Sequence, residues 1–190
     1  TNEINRMLVP TRLLRQQPQL FNADSARAAL DVDASALPAS LGHDPSSDGG
    51  LNAERDYVAR LKRLSIALLG SAAVTYGDSL KDEQEVLAQI ADIVIEAYAT
   101  ESAIARAEKM ASNGDRRAAL AADIAAVYTN DASDRIAAAS RQVVAALQTC
   151  TGDGALAAGV KKLVAYAGID AIPARRRIAN AVIDAGKYPL

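Results

Sequence analysis

"YGDSLKDEQEVLAQIADIVIEAYATESAIARAEK", residues 76–109, decides how this chain folds. Val86, Ile90, Ile93, Ala97, Ile104 and Ala105 recur at spacings of three and four, which places them on one face of a helix. Asp82, Glu83 and Glu85 crowd its start, where the helix dipole stabilises negative charge. Asn113-Gly114 supplies a stop, and Gly77 closes whatever comes before. The reading is one helix over about 80–112.

The same periodicity runs outward in both directions. From Leu51, with Asn52 as a cap, Tyr57, Leu61, Leu64, Leu68 and Ala72 share a face. Downstream, about Asp115 to Thr149 carries Leu120, Ile124, Val127, Tyr128, Ile136, Val143 and Leu147. "TCTGDG" breaks that pattern, a shorter helix follows over about 154–167, and Pro173 marks the first turn of a last helix ending before Gly186. Upstream, residues 3 to about 16 read as a helix with Ile4, Met7, Leu8 and Leu14. Pro10, which lacks a backbone donor, should kink or break it. Residues 17–50 are acidic and rich in Pro, Ser and Gly, with a short helix at 23–30 begun by Asn22 or Asp24. Nothing alternates with period two. The expected fold class is all-α, an antiparallel helical bundle of long helices with short turns.

Composition agrees and narrows the function. Half of the 190 residues are apolar, only 4% are aromatic, and alanine dominates, which favours helices over strands. A formal charge of −2 gives no nucleic-acid footprint. A single cysteine, Cys150, excludes an internal disulfide framework and fits a reducing compartment. No apolar run is long enough to span a bilayer, and the N-terminal stretch lacks the features of a signal peptide.

Three stretches carry a family resemblance. "TNEINR" at 1–6 resembles the signature that closes the catalytic part of acyl-CoA dehydrogenases, where a Glu-Gly pair leads into Thr-x-(Glu/Asp/Gln)-Ile-x-Arg at a helix start. The 76–109 stretch and "GKYPL" at 186–190 resemble the extra C-terminal helical domain of the very-long-chain members, bacterial and mitochondrial. The resemblance implies three parts: 1–16 as the last helix of the catalytic part, 17–50 as a connection, and 51–190 as a C-terminal bundle.

It also implies that the chain is a non-catalytic piece of an FAD-dependent enzyme that dehydrogenates acyl-CoA across its α,β bond. The catalytic base would be a glutamate two residues before Thr1, so the chain contains no catalytic residue. Thr1, Asn2 and Glu3 would touch FAD only in the full-length protein, and the chain by itself is expected to hold none. Its role would be architectural, covering the catalytic part and shaping a homodimer. The parent would pass electrons to an electron-transferring flavoprotein in the bacterial cytoplasm, or peripherally at the inner membrane. The other reading is a stand-alone helical protein–protein interaction module.

Each candidate also has a plain structural reading. Thr1 or Asn2 can cap the first helix while Glu3 complements its dipole, and Arg6 suits an ion pair. His43 is the only histidine, so neither a metal site nor a histidine catalyst is expected; a di-iron bundle would need Glu-x-x-His motifs. Cys150 shows no neighbouring charge that would activate it. Glu96 is expected to pair, partly buried, with Arg135 or Arg141. Lys161-Lys162 and Arg175-Arg176-Arg177 read as solvated faces; the acidic 17–50 stretch lacks the basic amphipathic character that membrane docking needs.

Overall fold

The computed structural model describes residues 2–31, 50–152 and 154–190. Thr1, His43 and the 32–49 part of the connection lie outside the described residues. The architecture is all-α, with seven α-helices and no strand among the described residues: α1 (Asn2–Gln16), α2 (Ala23–Leu30), α3 (Asn52–Tyr76), α4 (Gln84–Ser112), α5 (Ala118–Thr151), α6 (Gly154–Leu163) and α7 (Ala171–Ala185). Short 3₁₀ turns occupy Pro18–Leu20 and Gly77–Asp82.

The helix boundaries follow local chemistry. Asn22 caps α2, its side chain accepting from the Ser25 backbone N–H at 2.8 Å. α3 stops where Gly77 adopts φ +53°, and α4 stops at Gly114 with φ +66°. There the Asp115 N–H reaches back to the Met110 carbonyl at 3.0 Å, closing a Schellman-type turn. Asp170 caps α7, and Gly186 ends it in the left-handed conformation.

Several sequence expectations shift. α1 is one continuous helix: Pro10 lies inside it with its ring buried, so there is no break. Leu51, whose carbonyl accepts from the Arg55 N–H, takes the cap position expected of Asn52. The first residues assigned to the helix at 80–112 form the 3₁₀ turn instead, and α6 ends four residues early at Leu163.

The chain condenses into two compact units, with α3, α4 and α5 supplying residues to both. In the first are α1, α2, α6 and the stretches 59–76, 84–97 and 134–151. Its core holds Leu61, Leu64, Leu68 and Ala72, the face expected of α3, together with Ile90, Ile93, Ile136 and Val143. α2 is pressed close: a Cβ at Gly70 would lie 2.9 Å from the Ala26 Cβ, and one at Gly159 2.8 Å from the Leu30 Cβ. Arg63 then satisfies the open end of α2, donating to the Ala29 and Ala28 carbonyls at 3.1 Å each and to that of Asp31.

The second unit contains, among the described residues, 50–58, 98–133 and 166–190. Its core joins Leu51, Val58, Ile104, Ala107, Met110, Ala121, Ala125 and Ala126, with Ile169 and the terminal Leu190 packed on it. Here the expected face of α5 is rotated. Alanines occupy the centre, while Leu120, Ile124, Val127 and Tyr128 are only half-buried. Ala105 on α4 is likewise exposed, with Ala107 buried in its place.

Candidate functional site

Among the residues that the family resemblance singles out, Asn2 begins α1, and Glu3 sits exposed in its first turn. The Glu3 carboxylate is engaged: Arg6 Nη1 donates to Oε1 at 2.9 Å and to Oε2 at 3.2 Å. The opposite edge of the same guanidinium is held by Asp92 of α4, Nε donating to Oδ1 at 2.6 Å and Nη2 to Oδ2. A planar guanidinium presents its donors as a rigid fork, so the bidentate grip of Asp92 fixes where Nη1 points. Hydrogen bonding to Asp92, more than the nearby charges, raises the Arg6 pKa further above its ordinary value. The expectation that Arg6 is an ion-pair residue therefore holds. Beside it an open groove of about 700 Å³ runs between α1 and the start of α4, lined by Ile4, Met7, Leu8, Lys81, Gln84 and Glu85.

A second polar centre lies in the second unit, and the sequence reading missed it. Glu54, in the first turn of α3, is fully buried and accepts from the Tyr166 hydroxyl at 2.9 Å. The Tyr166 ring lies against that of Tyr57, centroids 4.8 Å apart at 35°. Burial, then the Glu54 carboxylate, pushes the Tyr166 hydroxyl well above the usual tyrosine range, keeping it protonated and donating. A signal was present: Glu54 is in helical phase with Tyr57 and Leu61, so a carboxylate stood on the buried face.

Several other charged residues form pairs. Glu96 accepts from Arg135 Nε at 2.6 Å and Nη2 at 2.9 Å, its side chain 18% exposed, which matches the expected partly buried pair. The arginine run is exposed, as expected of a solvated face, and two of its members form ion pairs. Arg175 pairs with Asp131 at 2.5 Å, and Arg177 grips the buried Asp123 at 2.7 and 2.8 Å. Cys150 is exposed in the last turn of α5, its Sγ 4.0 Å from the Tyr76 hydroxyl. No group of three or more His, Cys, Asp or Glu residues among those described could hold a metal ion. Among the same residues no helix is long and apolar enough to cross a membrane. The Arg6–Asp92, Glu96–Arg135, Asp131–Arg175 and Asp123–Arg177 pairs each join one helix to another.

Among the described residues the architecture is all-α, built on long, alanine-rich helices joined by ion pairs. The family model described as "Acyl-CoA dehydrogenase, C-terminal domain" matches residues 60–162, more than half of the chain, and the chain belongs to that family. It is 29% identical over 191 aligned positions to a Bacillus subtilis (strain 168) protein described as "Probable acyl-CoA dehydrogenase", an alignment covering 99% of this chain and 31% of the relative. It also superposes on the crystal structure of an acyl-CoA dehydrogenase complexed with FAD from Bacillus anthracis. The TM-score is 0.82 at 28% identity, covering 100% of this chain and 32% of that one. The chain thus spans about a third of the length of the relatives it matches.

Proposed function

We propose that this chain is the C-terminal, non-catalytic portion of an FAD-dependent acyl-CoA dehydrogenase of the very-long-chain type. In the longer protein a glutamate two residues before Thr1 removes the α-proton of the acyl-CoA, and the β-hydride passes to the flavin. Residues 1–16 belong to the end of the catalytic part, 17–50 connect, and 51–190 form the added helical domain. That domain packs on its own catalytic part and shapes a homodimer, with an electron-transferring flavoprotein as the acceptor. Thr1, Asn2 and Glu3 contribute to the flavin site only in that context.

The observation that carries this reading is the likeness along the entire chain to one third of an FAD-bound acyl-CoA dehydrogenase. The Glu96–Arg135 and Asp123–Arg177 ion pairs support an architectural role, since each joins two helices. The charges of Arg175 and Arg177 are offset by Asp131 and Asp123, which weighs against a membrane-docking face.

Parallel purification of residues 1–190 and of the longer protein tests the proposal. The longer protein should be yellow and dehydrogenate a long-chain acyl-CoA, whereas the 190-residue chain should be colourless and inactive. Flavin retained by the 190-residue chain, or a gene with no Glu-Gly pair and no flavoprotein sequence before Thr1, would overturn it. The latter result favours a stand-alone interaction module.

A further inference from the structure

We propose that Asp92 of α4 is a positioning residue for the flavin-facing turn of α1, acting through Arg6 on Glu3. This rests on the reading of residues 1–3 given above. Asp92 takes the Nε–Nη2 edge of Arg6. The free edge, Nη1, then holds both oxygens of Glu3 within 3.2 Å. Glu3 is three residues from Arg6 on one helix, but Asp92 is 86 residues away on another. The relay therefore ties the rotamer of an exposed carboxylate at the start of α1 to the core of the first unit. Without Asp92, Arg6 is a flexible solvated side chain, and an i,i+3 contact alone fixes Glu3 weakly. The Glu3 side chain is 74% exposed, against 27% for Arg6 and 39% for Asp92, so Arg6, held from α4, is the most sheltered of the three.

The test uses the longer, flavin-bearing protein. Asp92→Ala should raise the FAD Kd on the order of tenfold, the scale of one charge-assisted hydrogen bond, while kcat at saturating FAD changes much less. Asp92→Glu should recover part of the affinity. Asp131→Asn breaks an ion pair in the second unit whose carboxylate is exposed to the same 39% as that of Asp92; it should lower the melting temperature and leave the FAD Kd unchanged. If Asp92→Ala folds poorly, Asp92→Asn decides: it keeps the shape, removes the charge and loses one of the two acceptors for Arg6, and an FAD Kd raised above that of the wild type supports the relay. A folded Asp92→Ala or Asp92→Asn with wild-type FAD affinity overturns it. If the wild-type longer protein holds no flavin, the reading of residues 1–3 fails and the relay falls with it.

Discussion

The Tyr166 hydroxyl donates to the Glu54 carboxylate at 2.9 Å, joining the loop before α7 to the first turn of α3 across 112 positions of sequence. Glu54 is fully buried and Tyr166 half-buried, so the hydrogen bond is made where its loss is costly. Tyr166→Phe keeps the ring against Tyr57 and deletes only the donor. It should lower stability by about 2 kcal/mol, and the melting temperature by roughly 4 to 8 °C. Thermal unfolding followed by circular dichroism measures it, and an unchanged midpoint would show that the hydroxyl contributes nothing.

The same residue sets an alkaline limit. Its folded pKa lies above its unfolded value of about 10. A raised pKa gives stability that is fully present below the unfolded value and lost as pH rises beyond it. Urea midpoints should therefore decline above about pH 10, and the decline should be shallower in Tyr166→Phe.

At the acid end the sign reverses. Asp115 accepts from the Arg117 side chain at 3.0 and 2.8 Å and from its backbone N–H at 2.9 Å, and its pKa is lowered to about 2. Its contribution is present above the ordinary carboxylate range and disappears as pH falls toward 2. NMR titration should find Asp115 depressed in the wild type. In Arg117→Ala it should move back toward 3.8, and a value that stays put would locate the cause elsewhere.

Glu96 and Arg135 couple α4 to α5 within the first unit through two parallel hydrogen bonds. Arg135 is half exposed, which screens the pair. Glu96→Gln should cost about 1 kcal/mol and lower the melting temperature by several degrees. A double-mutant cycle with Arg135→Met separates the pair from the individual changes: near-additivity would mean the contact is idle.

Gly70 and Gly159 hold α2 at close range. Alanine normally favours a helix interior by about 1 kcal/mol over glycine. Here the added methyl would meet the Ala26 Cβ at 2.9 Å, or the Leu30 Cβ and Cδ2 at 2.8 Å. Neither Cβ can swing away without moving backbone, so overpacking should outweigh propensity. Gly70→Ala and Gly159→Ala should each destabilise by about 1 to 2 kcal/mol. A gain in the urea midpoint would show that α2 yields freely.

Local signals made the helices legible. Asn22, Gly77, Gly114 and Gly186 mark ends because their side chains, or lack of them, suit a single backbone conformation. The α3 stripe was plain because Tyr57, Leu61, Leu64 and Leu68 are large. The first half of α5 was misjudged by one position. Ala121, Ala125 and Ala126 carry little hydrophobic signal, yet their small size is what seats them at the centre, with bulkier neighbours at the rim. Glu96 with Arg135 was foreseeable as one acid facing one of two candidate bases. Arg6 with Asp92 and Tyr166 with Glu54 were not, since contacts 86 and 112 residues apart leave no periodic trace. The candidate flavin contacts came from family likeness alone, and likeness does not reveal that Glu3 is already gripped by Arg6.

Neither compact unit is a continuous stretch of polypeptide, and this governs how the gene can be cut. A clone trimmed to residues 60–162, where the family match ends, would discard Glu54, Tyr57, Tyr166 and all of α7. It would leave Ile104, Met110 and the α5 alanines without Leu51, Val58, Ile169 and Leu190, the apolar side chains that shield them. Trimming to the recognised span therefore exposes a hydrophobic surface, and an insoluble product is the foreseeable outcome.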